Sequence, residues 1–113
     1  IGGTTTKAQI MVESVDLVKP TGSATATFTM TIKNTGTKPI DKIDIDHPFT
    51  GGTLTWNPDI NTGGTLEPGK TMVTTITGIT NVVVGDTYSF TITCTCTDGS
   101  IFTLTHTVTC RAF

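Results

Sequence analysis

The sequence predicts an all-β domain, an antiparallel β-sandwich of about seven strands, and three observations carry that prediction. Apolar residues recur with a period of two, and no stretch shows the helical period. Turn residues break these runs roughly every 8–12 residues, the spacing of short sandwich strands. Threonine supplies roughly a quarter of the chain. Its β-branched carbon suits a strand and its hydroxyl tolerates water, so it is a natural outward residue on a sheet.

The totals set the limits. At 113 residues the chain is a single domain spanning residues 1–113, with enough length for one core. Hydrophobic residues make up 35% and charged ones 14%, and the net charge is −2. No basic patch is present to neutralise phosphates, so nucleic acid is not an expected partner. A surface with few titrating groups changes little as pH falls, which fits an extracellular setting. No apolar run reaches membrane-helix length, and nothing resembles a signal peptide. The chain opens at Ile1-Gly2-Gly3 without an initiator Met, so an N-terminal segment is expected to precede it.

The first strand runs from Lys7 to Leu17. Ala8, Ile10 and Val12 face one way, and after Glu13-Ser14 the apolar face passes to Val15 and Leu17. A one-residue phase shift inside a strand predicts a bulge or a strand that changes sheets. Lys19-Pro20-Thr21-Gly22 then turns the chain. Ala24, Ala26, Phe28, Met30 and Ile32 alternate with threonines and Lys33, the clearest strand outside the C-terminal hairpin. Asn34 to Pro39 is a turn, and Ile40, Ile43 and Ile45 come next as a short strand with a ragged start. Leu54 and Trp56 form a brief strand or loop before Pro58. Asn61 to Gly69 is rich in turn residues. Thr71 to Thr77 places Met72, Thr74 and Ile76 on one face and Val73 on the other.

The longest pattern is Tyr88 to Cys110. Phe90, Ile92, Cys94 and Cys96 share one face, as do Phe102, Leu104, His106, Val108 and Cys110, while the opposite face is nearly all threonine. Asp98-Gly99 between the two halves predicts a hairpin. An even-face register that sets Cys96 against Phe102 brings Cys110 opposite Tyr88. Both strands are expected at the centre of one sheet. Seven strands in this order make an immunoglobulin-like sandwich the first choice and a partly open Greek-key barrel the second. The disulfide and buried Trp of antibody domains are absent.

No reaction is spelled out. Cys94 and Cys96 stand at i, i+2 with diverging Cβ atoms, and Cys110 is distant from both, so three small buried hydrophobes are expected, with no disulfide and no metal. Asp41, Asp44 and Asp46 do not supply the six to eight oxygens of a Ca²⁺ site. They read as a solvated strand face that discourages edge pairing. His106 shares its face with Cys94 and Cys96, but apolar neighbours separate them and no orienting group is visible, so it reads as structural. Without a helix there is no Gly-rich phosphate cradle. The chain is therefore read as a non-enzyme without cofactors. Val82-Val83-Val84 is the one run with an apolar side to spare. It is either doubly buried strand or packed corner, or a contact patch for another protein or a second copy of this one, and Val82, Val83 and Val84 are the candidate interface residues.

Three segments carry a family resemblance: Phe28 to Ile40 with its Asn34-Thr-Gly-Thr-Lys-Pro39, Leu66-Glu-Pro-Gly-Lys-Thr71, and Gly85 through Thr109. Together they resemble the soluble domains of archaeal flagellins, type IV pilin-like subunits and, above all, archaellum accessory proteins of the FlaG/FlaF stator type. The resemblance spans most of the chain. It implies a β-sandwich held outside the cytoplasmic membrane by an N-terminal hydrophobic helix. It also implies self-association and contact with the cell envelope or a sister archaellum protein. The sequence has no Asn-x-Ser/Thr sequon, which favours an accessory part over an exposed filament subunit. A filament-forming pilin or flagellin is the alternative. A carbohydrate-binding module is another, but the single Trp56 and single Tyr88 offer no stacking platform.

Overall fold

Seven strands alternate with tight turns in the computed structural model, which describes residues 8–113. Lys7 and Ile1-Gly2-Gly3 lie outside the described residues. The strands are β1 (Ile10–Val18), β2 (Ala26–Asn34), β3 (Ile40–Asp46), β4 (Thr53–Asn57), β5 (Thr71–Ile79), β6 (Thr87–Cys96) and β7 (Ile101–Arg111). They hydrogen-bond in the order β3-β6-β7-β1-β2-β5-β4. Pairing is antiparallel except between β1 and β7, which run parallel and meet only at Leu17–Cys110 and Val18–Arg111. At that short contact the sheet folds over, and β1-β2-β5-β4 lies against β3-β6-β7.

The core forms where alternating apolar residues of the two layers meet. Ala26, Phe28, Met30 and Ile32 of β2 and Met72 and Ile76 of β5 are buried, as are Ile43 of β3 and Phe90, Ile92, Cys94 and Cys96 of β6. Phe28 from one layer meets Phe90 from the other edge-to-face, with ring centroids 5.2 Å apart, a favoured arrangement because the positive ring edge meets the negative face. All three cysteines are free and buried. Burial pushes the Cys94 thiol up to about 11, with Cys96 beside it adding to the effect, and burial also raises Cys110. They serve as small hydrophobes.

Irregularities fall where the sequence phase slips. β1 carries a bulge between Val12 and Ser14, and β3 one between Ile40 and Lys42. The first lets β1 pair with β2 along its length and still deliver Leu17 to β7. The turn-rich segment before β5 contains a 3₁₀ turn, Ile60–Thr62, whose Ile60 is buried. From it the Asn61 side chain accepts from the Ile43 N–H at 2.9 Å and donates to the Ile43 carbonyl at 3.0 Å, standing in for a neighbouring strand on the outer edge of β3.

Two expectations need correcting. The hairpin register sets Cys94 against Phe102 and Tyr88 against Val108, two residues from the expected one. The reason is the turn: Cys96 and Ser100 close it, with the Cys96 N–H donating to the Ser100 carbonyl and the Gly99 N–H to the Cys96 carbonyl. Gly99 takes φ +89° there, which a side chain would disfavour. The strand pair is also not wholly central. β6 is flanked on both sides, but β7 has a second neighbour only at its C-terminal end.

Candidate protein interface

The valine run lies in the β5–β6 connection, in a turn and not a strand. Strand β5 ends at Ile79, and Asn81 fixes the connection beyond it. Its side chain accepts from the Thr50 N–H at 2.9 Å and donates to the Pro48 carbonyl at 2.7 Å, tying this connection to the one after β3. Val82 then drops into the core at 2% exposure, while Val83 and Val84 stand out at 57% and 46%. The run therefore divides into one core residue and two exposed neighbours.

The turn bearing the exposed pair is held at several points. The Asp86 N–H donates to the Val83 carbonyl at 3.1 Å, closing a four-residue turn. Gly85 occupies its third position at φ +95°, as a type II turn requires. The Val83 N–H donates to the Tyr88 phenol oxygen at 2.8 Å, and Lys19 Nζ donates to the Val82 carbonyl at 3.2 Å. Gly85 and Asp86 then pair with Cys110, so the β6–β7 ladder begins at once. Tyr88 in turn packs on Phe49, and Phe49 on Phe28, at centroid distances of 5.9 and 5.3 Å. The two valines are thus displayed on a support that reaches the centre of the core. An apolar contact already ordered loses less entropy on binding than a flexible one.

The remaining candidates take no part in such a site. Asp41, Asp44 and Asp46 are exposed along β3. Among the described residues no group of three His, Cys, Asp or Glu side chains is arranged to hold a metal ion. His106 is half-buried with its ring 5.9 Å from that of Phe90. His47 stacks on Phe49 at 5.4 Å, and its Nδ1 accepts from the Phe49 N–H at 3.1 Å. Trp56 and Tyr88 are both half-buried on different strands. Among the described residues no cleft opens beside any of these groups. Sequence reasoning missed the contributions of Lys19, Asn81 and Tyr88. The Gly85-Asp86 pair after three valines was the available signal for a turn.

With this geometry the fold is recognisable. It is of the FlaG type. The chain superposes on the archaellum periplasmic stator protein FlaG from Sulfolobus acidocaldarius with a TM-score of 0.53 and 13% sequence identity. The match covers 88% of this chain and 100% of that one. No protein-family model matches the chain, and no curated protein matches it by sequence. The architecture implied by the sequence resemblance is therefore the one observed.

Proposed function

We propose that this chain is a non-enzymatic structural domain of an archaeal cell-surface motility machine, acting on its stator side. In this reading it lies outside the cytoplasmic membrane, between membrane and surface layer, anchored through an N-terminal helix. It associates with itself and with a sister archaellum or envelope protein, and so braces the filament against the envelope. The single observation that carries the reading is the likeness of fold to the stator protein FlaG. Three features of the molecule support it. The surface is rich in threonine and poor in charge, the hydrogen-bonded Val83–Val84 turn offers an apolar anchor, and strands β1-β2-β5-β4 lie over β3-β6-β7 as a β-sandwich module. Such modules present loops and edges to partners without needing a pocket.

Val83→Lys tests the reading. The side chain is exposed, so the folding midpoint is expected to stay within about 0.5 kcal/mol of the parent. The light-scattering mass at high concentration is expected to fall. An unchanged mass with intact folding would remove the valine turn from the interface.

A further inference from the structure

Beyond the valine turn, two facing strand edges are left open among the described residues: that of β1 upstream of Leu17, which carries a bulge, Glu13 and Asp16, and that of β7. The outer edge of β3 is covered by Asn61 and by Leu66, which exchanges two backbone bonds with Ile40 at 3.0 and 2.7 Å. The outer edge of β4 is only five residues long and stops before Pro58. The edge of β7 that faces away from β6 is different. In an antiparallel ladder, alternate residues direct both backbone groups to the same neighbour. The Cys110 N–H donates to the Asp86 carbonyl at 2.9 Å, so the even-numbered residues of β7 serve β6. The odd-numbered ones face the other way, as the bond from the Lys19 N–H to the Arg111 carbonyl at 2.8 Å confirms. Strand β1 pairs with β7 only at Cys110 and Arg111. Upstream of that contact, Thr103, Thr105 and Thr107 aim their backbone groups at an edge with no paired strand among the described residues. The stretch from Ile101 to Thr109 has no Pro, no Lys, Arg, Asp or Glu, and no bulge, so the usual guards against edge pairing are missing.

We propose that this edge pairs with the same edge of a second copy, the two β7 strands running antiparallel about a two-fold axis at Thr105. The edge is self-complementary. Its solvent-facing side chains, Ile101, Thr103, Thr105, Thr107 and Thr109, are uncharged, so a two-fold sets no like charges opposite one another. Threonine pairing is already the habit of this face, since the Thr91 and Thr105 hydroxyls lie 3.0 Å apart and those of Thr87 and Thr109 2.8 Å. Centred on Thr105, the pairing brings Thr103 opposite Thr107. It also brings Arg111 level with Gly99 of the second copy, one residue from its Asp98. Both side chains are half-exposed and already paired within their own copy, Arg111 with Asp16 and Asp98 with Lys38, so each end sets charge-balanced pairs beside one another. The contact joins the two β3-β6-β7 layers into one continuous sheet. It rests on the self-association proposed above and gives that association a backbone contact separate from the valine turn.

Amide exchange followed by NMR on the 113-residue chain tests it directly. The Thr103, Thr105 and Thr107 amides are expected to exchange fast in dilute solution and to become protected, by tenfold or more, as concentration rises. Phe102, Leu104 and His106, bonded to β6, serve as controls that are protected throughout. Thr105→Lys places two cations at the axis, and Thr105→Pro deletes an N–H that β6 does not use. Each is expected to weaken dimerisation roughly tenfold or more. The Lys variant, at an exposed site, keeps its fold should the Pro variant not. Fast exchange of the three threonines at every concentration overturns the proposal, as does dimerisation unchanged in the folded Lys variant. If the Val83→Lys chain loses all association while these amides never gain protection, this edge falls and the valine reading stands. If Val83→Lys still forms the β7-protected dimer but loses larger species, both stand.

Discussion

Replacing Asn34 with Ala is expected to destabilise the domain by about 3 kcal/mol, although its neighbours look like an ordinary surface turn. Asn34 is fully buried at the end of β2. Its Nδ2 donates to the Lys38 carbonyl at 2.8 Å and the Leu66 carbonyl at 2.9 Å, and its Oδ1 accepts from the Gly36 N–H at 3.0 Å. Two of these partners keep a second bond in the variant. The Leu66 carbonyl still accepts from Ile40 at 3.0 Å, and the Gly36 N–H still donates to Gln9 at 3.1 Å. Only the half-buried Lys38 carbonyl is stranded. Three bonds at about 1 kcal/mol each therefore set the scale, a large share of the roughly 5–15 kcal/mol of a typical domain. Urea unfolding followed by Trp56 fluorescence measures it, with an expected midpoint shift of about 2 M at an unchanged slope. A shift below about 0.5 M would refute the reasoning. Asn34→Asp supplies a signed check. A buried carboxylate facing two carbonyls has its pKa raised above the unfolded value near 3.9. The folded variant then holds its proton more tightly, so its stability falls as pH rises through that window and its deficit is smallest in acid.

Four further outcomes rest on particular contacts. Thr74 is fully buried and its hydroxyl has no partner among the described residues, so Thr74→Val is expected to raise stability by about 1 kcal/mol in the same urea assay. Tyr88→Phe removes the acceptor of the Val83 N–H; a loss of about 1 kcal/mol is expected, together with weaker self-association in light scattering as the turn loosens. The Asp98 carboxyl is held well below the ordinary carboxylate range by Lys38 and Ser100. Its stabilisation is therefore present above the unfolded pKa near 3.9 and lost as pH falls below it, so the parent's thermal midpoint should drop more steeply in acid than that of Asp98→Asn. With Cys94 pushed up to about 11 and all three thiols buried, a thiol reagent near neutral pH should label the native chain slowly and the urea-unfolded chain at all three sites.

The strands were legible because period-two alternation is a local property. Each residue's backbone angles decide which face its side chain takes, whatever the strand pairs with. Hence Ala26 to Ile32, Met72 to Ile76 and Phe90 to Cys96 emerged with the inward faces they have, and the slip after Val12 marked a true bulge. The Asn34-Thr-Gly and Leu66-Glu-Pro-Gly segments could be read only as two separate turns. Folding brings them together: Asn34 bonds Leu66 by its side chain and Gly69 by its carbonyl, a contact between residues more than 30 apart that no local pattern encodes.

Local pattern was thus enough to establish the fold class and most of the strands. Depth and partnership came from tertiary contacts. They sank Val82 and left Val83 and Val84 exposed because a Gly85 turn replaced the strand that would have alternated them. They also parted β1 from β7 above Leu17, leaving a threonine edge open. Both depend on which segments meet across the fold, and a period of two carries no information about that.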